Sequence, residues 1–263
     1  MRLLDVHSDA NHHRSVFTLA GQPGELSDAL MRGAAEATSR IDVMSDRDTR
    51  RGEHPHVGAI DVVPVVYLNN AARGAACAEA LVVADRIGEE LDVPVFLYGA
   101  LADGRTRAEV RRGGAMRLAE RMRSGELEPD FGPGKLHPGA GATLVAAREP
   151  LVAFNLLLAP GATVGNARRI ASLIREGGEQ GLLGLRAIGV ELSGGVAQVS
   201  MNVERPLDVS LAKVIEAVGR YAEVRSAELV GLAPRATLEG FPEDVPMPGF
   251  DPACHVIENA LGC

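Results

Sequence analysis

The sequence has few cysteines and no long apolar run, and both absences restrict where the protein can work. Its three cysteines, Cys77, Cys254 and Cys263, are scattered and form no Cys-x-x-Cys pair. This argues against a disulfide framework and favours a reducing, cytoplasmic setting. No stretch approaches the ~18 consecutive apolar residues of a membrane span, and the N-terminus lacks the cationic and apolar segments of a signal peptide. We therefore expect no membrane partner.

The sequence is also short of positive charge. It contains 27 Lys and Arg against 35 Asp and Glu, which gives a formal net charge of -8. Nucleic-acid binding requires a basic surface that faces the phosphates, so we expect no nucleic-acid partner. Hydrophobic residues occupy 46% of the 263 positions, which is enough for one large domain or two small ones with apolar cores.

Apolar periodicity divides the chain into two halves separated by a loop rich in glycine and proline. In the first half it predicts strands at 2–7, 15–20, 60–68 and 93–99 and helices at 23–43, 73–91 and 105–123. Residues 124–143, SGELEPDFGPGKLHPGAGAT, form a long predicted loop. In a compact domain such a loop is usually functional or a linker.

The second half has a more regular order. It predicts strands at 151–158, 185–192, 196–203 and 227–232 and helices at 163–176 and 207–221, a βαββαβ sequence with Ser193, Gly194 and Gly195 turning the central hairpin. The first half resembles the same unit without its opening strand and helix. We therefore expect an α/β (α+β) protein of two ferredoxin-like α/β-sandwich subdomains with mixed or antiparallel sheets. The predicted bounds are 1–141 and 142–239, with a tail at 240–263.

A dense polar cluster, RRGEHPH, precedes the apolar run VGAIDVVPVVYL. His54 in this cluster carries an imidazole that titrates near neutrality and can both accept and donate a proton. A histidine in a polar loop is also often only solvated, so the cluster alone leaves both interpretations open.

The histidines raise the question of a metal site. His7, His12, His13, His54 and His56 all lie in the first quarter of the chain. No His-x-x-x-His helix is present and no histidine is paired with cysteine, which are the spacings that hold zinc. We therefore expect no metal.

Nine stretches, in order, resemble the formiminotransferase domain family, whose members include glutamate formimidoyltransferases and the front half of formimidoyltransferase-cyclodeaminases. They are LLDVHSD, RSVFTLAG, RGEHPHVGAIDVVP, VPVFLYG, DFGPGKLHPGAGAT, AFNLLL, AIGVEL, AQVSMN and LVGLAP. The resemblance implies two α/β subdomains with a tunnel between them and transfer of a formimino group from N-formimino-L-glutamate to tetrahydrofolate, a co-substrate. It also implies small-molecule partners, a homodimer and a role in histidine catabolism and one-carbon metabolism.

The resemblance also assigns residues. His54 matches the family's catalytic base in the GEHP motif, and Asp61 matches an acidic residue that could orient the imidazole and stabilise its cation. Arg14 and Arg51 are candidates for the carboxylates of the donor, because a guanidinium pairs with a carboxylate through two hydrogen bonds. Glu53 is a candidate substrate contact or a structural acceptor.

The glycine-rich loop aligns with the family's folate-binding segment, although a linker between subdomains would have the same composition. Glycines allow close backbone approach, and free backbone groups suit the polar edge of a pterin. The candidate folate-binding residues are Gly132, Pro133, Gly134, Lys135, Leu136, His137, Pro138, Gly139, Ala140 and Gly141.

The sequence departs from the family in five places, two of which are Ala100 in place of an acidic residue and Leu157 in place of an asparagine. The family's opening strand and helix, with a VPNFSEG-like segment, have no counterpart in it. His13 replaces an asparagine, and His56 replaces an arginine after GEHP, so a permanent cation becomes a titratable one. These departures leave two alternatives open: a folate-binding relative without transfer activity, and a formiminotransferase that acts on another amine.

Overall fold

The computed structural model describes residues 1–10, 12–45 and 56–262. By its internal contacts the chain forms two compact units. The first contains Met1 and Gly21–Glu149, and the second contains Arg2–Ala20 and Pro150–Cys263. Each unit is described by itself.

The described ranges contain nine strands and eight α-helices. In chain order they are β1 (Arg2–Asp9), β2 (Arg14–Ala20), α1 (Leu26–Arg40), β3 (Val62–Val66), α2 (Arg73–Leu91), β4 (Val95–Leu97), α3 (Arg107–Arg111), α4 (Gly114–Arg123), β5 (Thr143–Arg148), β6 (Val152–Leu158), α5 (Val164–Ile174), β7 (Leu185–Leu192), β8 (Val196–Val203), α6 (Leu211–Gly219), β9 (Val224–Val230), α7 (Pro252–His255) and α8 (Ile257–Leu261). No helix in these ranges is both long enough and apolar enough to cross a membrane.

The first unit is built on a three-stranded parallel sheet with the order β3-β5-β4. One face packs against α1 and α2 in a core that includes Met31, Val83 and Val145. The other face packs against α3 and α4 in a core that includes Phe96 and Leu118. Since helices cover both faces, the central strand β5 is buried along nearly its whole length, as is usual for parallel sheets.

The second unit has the predicted βαββαβ order. Its four strands form an antiparallel sheet with the order β7-β8-β6-β9, and α5 and α6 pack on one face. The core of this layer contains the fully buried Phe154, Ile174 and Leu211. Gly194 and Gly195 turn the β7–β8 hairpin with positive φ angles of 79° and 75°. The ferredoxin-like arrangement expected for this half is present, and the α/β (α+β) class is confirmed.

The first half of the chain differs from the predicted ferredoxin-like unit. Strands β1 and β2 form a separate two-stranded antiparallel sheet that packs with the second unit. Strand β5 was not predicted, because a strand buried on both faces shows no alternation of apolar and polar residues. Its pairing with β3 and β4 draws residues 143–148 into the first unit, which extends to Glu149 by its internal contacts. The predicted subdomain bounds of 1–141 and 142–239 stay predictions.

The helix predicted over 105–123 is two helices, α3 and α4. The break lies at Gly113 and at Gly114, the first residue of α4, whose φ angles are positive at 81° and 73°. This left-handed conformation is readily available to glycine and interrupts a right-handed helix. Consequently α3 has its own start, where Thr106 and Glu109 form a reciprocal capping box.

Candidate active site

Parallel pairing of β3 with β5 brings the segment after the GEHP motif and the glycine-rich loop toward one edge of the first unit's sheet. The strands run side by side with Val62 opposite Leu144. The segment after GEHP, residues 56–61, leads into β3, and the glycine-rich loop leads into β5. Because the strands are adjacent and parallel, their preceding segments meet at the N-terminal edge of the sheet.

Backbone hydrogen bonds join the two segments directly. The amide of Ala142 donates to the carbonyl of Val57 at 3.0 Å, and the amide of Ala59 donates to the carbonyl of Ala140 at 2.9 Å. The amide of Leu144 donates to the carbonyl of Asp61 at 3.1 Å, which continues the pairing into the sheet. The segment that follows GEHP is therefore fixed to the end of the loop.

Two glycines make this close pairing possible. A Cβ added at Gly58 would lie 1.9 Å from the carbonyl oxygen of Ala142, and one added at Gly141 would lie 2.2 Å from that of Val57. Gly141 also has a φ of 71°. Neither position can carry a side chain without moving the backbone.

The residues before the GEHP motif also contact the loop. The amide of Val43 donates to the carbonyl of Gly139 at 2.9 Å. The loop therefore binds the chain on both sides of residues 46–55, through Val43 before them and through Val57 after them. Arg51, Glu53 and His54 lie outside the described residues, so their predicted roles stay predictions.

His137 organises the turn of the loop. Its Nδ1 accepts hydrogen bonds from the amides of Gly139 and Ala140 at 3.2 and 2.9 Å. Its own backbone exchanges two hydrogen bonds with Gly141. Since Nδ1 acts as an acceptor, the hydrogen of the neutral ring is assigned to Nε2.

The ten candidate folate residues differ in their exposure. At the start of the loop, Gly132 lies against Gly88 of α2, so closely that a Cβ on Gly132 would be 2.8 Å from the Cα of Gly88. At the end, Ala140 and Gly141 are buried, and Leu136 packs against the core that contains Phe96. The exposed residues are Gly132, Gly134, Lys135 and Pro138, while Pro133, His137 and Gly139 are partly exposed. The middle of the loop therefore presents most of the accessible surface.

Asp61 connects this region to α3. One carboxylate oxygen accepts the amide of Val57 at 2.9 Å, and the other forms an ion pair with Arg111 at the end of α3. The side chain of Arg111 is 18% exposed and that of Asp61 is 24% exposed. Arg111 was missed in the sequence, because it lies in a basic helix whose spacing does not distinguish it from neighbouring arginines.

Arg14 belongs to the second unit. It is exposed at the start of β2, where its partner in the register is Asp9 of β1. Its predicted contact with a substrate carboxylate stays a prediction.

The second unit buries a row of polar side chains on the sheet face opposite α5 and α6. Gln198 and Ser200 share this face, as their spacing predicts, and are 1% and 4% exposed. Gln198 is 3.1 Å from Nε2 of His12, and Asn155 donates to Glu228 at 2.7 Å. The hairpin β1–β2 therefore meets this face through His12, a contact between residues too distant in sequence to be predicted from it.

The histidines were also considered as possible ligands of a metal ion. Over residues 1–10, 12–45 and 56–262, no three His, Cys, Asp or Glu side chains lie close enough to share an ion. His54 is not among these residues, so the expectation of a metal-free site stays a prediction.

Comparison with known proteins identifies the family. Residues 1–148 match the formiminotransferase domain, N-terminal subdomain. A glutamate formimidoyltransferase of Streptococcus pyogenes serotype M1 is 37% identical over 269 residues, which cover 98% of this chain and 88% of the relative. One from Thermoplasma acidophilum is 32% identical over 249 residues, which cover 90% of this chain and 80% of the relative.

Longer relatives match as well. The mouse formimidoyltransferase-cyclodeaminase is 35% identical over 250 residues, which cover 90% of this chain but 45% of that protein. Both the family match and the near full-length similarity to smaller relatives lead to one conclusion. The chain belongs to the formiminotransferase domain family, a family of transferase enzymes.

Proposed function

We propose that this protein transfers a formimino group from N-formimino-L-glutamate to tetrahydrofolate, giving 5-formiminotetrahydrofolate and L-glutamate. Family membership and the names of the two smaller relatives support formimino transfer. The observation that carries the finer proposal is the backbone pairing of Val57 and Ala59 with the end of the glycine-rich loop. This pairing supports a single site in which the GEHP motif and the loop act together.

The proposed chemistry requires one proton to change partners. The N5 nitrogen of tetrahydrofolate attacks the amidine carbon of the donor and forms a tetrahedral intermediate. The bond from that carbon to the glutamate nitrogen then breaks. N5 loses a proton and the glutamate nitrogen gains one, so a single imidazole can serve first as base and then as acid. We assign this shuttle to His54.

The other proposed contacts follow the charges of the substrates. The donor carries two carboxylates, for which Arg14 and Arg51 are the proposed partners. The pterin is proposed to bind the exposed middle of the loop, where Gly134 and Lys135 leave backbone and ammonium donors accessible. No metal takes part in this proposal.

A product assay with a histidine variant tests the proposal. The purified protein is mixed with both substrates, and 5-formiminotetrahydrofolate is followed by its absorbance and by mass spectrometry. His54→Asn should lower kcat by about 100- to 10,000-fold, the usual contribution of a general acid-base group, and leave tetrahydrofolate binding nearly unchanged. The matched control is His255→Asn in α7, which should keep full activity.

The alternatives predict different results in the same assay. A folate-binding relative without activity would bind tetrahydrofolate and form no product. A transferase for another amine would form product only with a different donor, such as N-formiminoglycine, and the replacement of a permanent cation by His56 favours testing this donor. Absence of product from folded protein with formiminoglutamate contradicts the proposal.

A further inference from the structure

The ion pair between Arg111 and Asp61 lies at the junction of three parts of the first unit. Arg111 ends α3, and its guanidinium contacts one oxygen of the Asp61 carboxylate. The other oxygen accepts the amide of Val57 at 2.9 Å. A single carboxylate thus links the last residue of a helix to the peptide that lies three positions after His54.

The link continues into the glycine-rich loop. Val57 is fully buried, and its carbonyl accepts the amide of Ala142 at 3.0 Å. The carbonyl of Asp61 accepts the amide of Leu144 at 3.1 Å. Any rotation of the Asp61 side chain would therefore release the amide of Val57, whose carbonyl holds the end of the loop.

Helix α3 is suited to hold the guanidinium in one place. The Thr106–Glu109 capping box fixes its first turn. The buried Arg121 of α4 donates to the carbonyls of Glu109 and Val110 at 2.9 and 3.2 Å, which fixes its last turn. Both ends of this short helix are thus satisfied, and Arg111 extends from a restrained backbone.

We propose that Arg111 is a positioning residue for formimino transfer: it orients the Asp61 carboxylate, which in turn sets the backbone after GEHP and the end of the loop. Arg111 itself touches no substrate. The inference rests on the proposed function and extends it to a residue outside both motifs. A fixed geometry of this kind affects turnover strongly, because a displacement of about 1 Å can cost ~100-fold in rate.

The test compares Arg111→Ala and Arg111→Lys with Arg86→Ala. Arg86 is a suitable control because it also forms ion pairs inside the first unit, to Asp28 at 2.7 Å and Glu90 at 2.6 Å, from a side chain that is 30% exposed. Steady-state kinetics with formiminoglutamate and tetrahydrofolate are measured for each variant. Hydrogen exchange of the Val57 and Ala142 amides is measured in parallel.

Arg111→Ala should lower kcat by about 10- to 100-fold while donor KM changes by less than about threefold, since the lost interaction acts on geometry and not on ground-state binding. Exchange of both amides should accelerate. Arg111→Lys should recover part of kcat, and added guanidinium ion should rescue Arg111→Ala at concentrations that do not unfold the protein. Arg86→Ala should keep kcat and both exchange rates.

Three results overturn the inference: an unchanged kcat in Arg111→Ala, an equal loss of kcat in Arg86→Ala, or an unchanged exchange rate at Val57. If the unmodified protein forms no product, the proposed function fails instead. In that case the exchange rates still decide whether Arg111 holds the backbone at Val57 and Ala142, because they are measured without turnover.

Discussion

The two units of this protein obtain their order in different ways. In the second unit, strands and helices that follow each other in the chain complete one ferredoxin-like sheet. In the first unit, the central strand β5 comes last, and the candidate active site forms only when the segment before β3 meets the loop before β5. The second unit is thus specified by local pattern, whereas the site of the first depends on pairing between distant segments.

The largest expected effect tests the independence of the second unit's core. Phe154 is fully buried and meets the ring of Phe241 edge to face at 6.4 Å. Phe154→Ala should lower the free energy of unfolding of this unit by about 3–5 kcal/mol, through lost burial and a cavity. Denaturant unfolding measures the loss, and Phe154→Leu should lose less. If the amides of Val57 and Ala142 also lose protection under native conditions, the two units are not separate in stability.

A smaller effect on stability but a strong one on activity is expected at Gly58. An added methyl group would collide with the carbonyl of Ala142, so Gly58→Ala should separate the segment after GEHP, residues 56–61, from the glycine-rich loop. We expect kcat to fall by about 100-fold. The control is Gly33→Ala in α1, where an added Cβ meets nothing within 4 Å. This substitution should raise the free energy of unfolding by up to about 1 kcal/mol, because alanine favours the helix more than glycine does. Full activity in Gly58→Ala would show that the pairing is dispensable.

The smallest effect concerns the start of α3. Thr106→Ala removes the N-cap and should cost about 1 kcal/mol. Hydrogen bonds from the Thr106 amide and hydroxyl lower the pKa of Glu109, and Thr106→Ala removes the one from the hydroxyl. The stabilisation from that bond is present above the ordinary pKa of glutamate and is lost as the pH falls through the lowered value. The difference between the unmodified protein and Thr106→Ala should therefore shrink in acid. Thermal unfolding across pH measures it, and a difference that grows in acid contradicts the capping-box account.

The sequence predicted much of the fold because its patterns are local. The β7–β8 hairpin is predicted by two adjacent glycines. The strands and helices of the second unit are predicted by the periodic spacing of apolar residues. Strand β5 escaped prediction because burial on both faces removes the alternation, and the break at Gly113 was hidden in a basic, helix-forming stretch. The separate β1–β2 sheet depends on contacts such as that of His12 with Gln198, which no local pattern encodes.

The candidate site also contains parts that local sequence patterns predict and parts that depend on contacts between distant residues. The GEHP motif and the loop were visible as short motifs, and the parallel pairing of β3 and β5 brings the segment after GEHP to the end of the loop. Arg111 could not be found, since its role depends on where α3 ends relative to Asp61. The predicted roles of His54, Arg14, Arg51 and Glu53 stay predictions.

One measurement tests most directly whether the GEHP motif and the loop form a single folate site. In protein labelled at the histidine rings, tetrahydrofolate is titrated and the imidazole NMR signals of His54, His137 and His255 are followed. If the motif and the loop form one folate site, the signals of His54 and His137 shift with the same dissociation constant while that of His255 does not move. A shift of His54 without His137, or of neither, would contradict it.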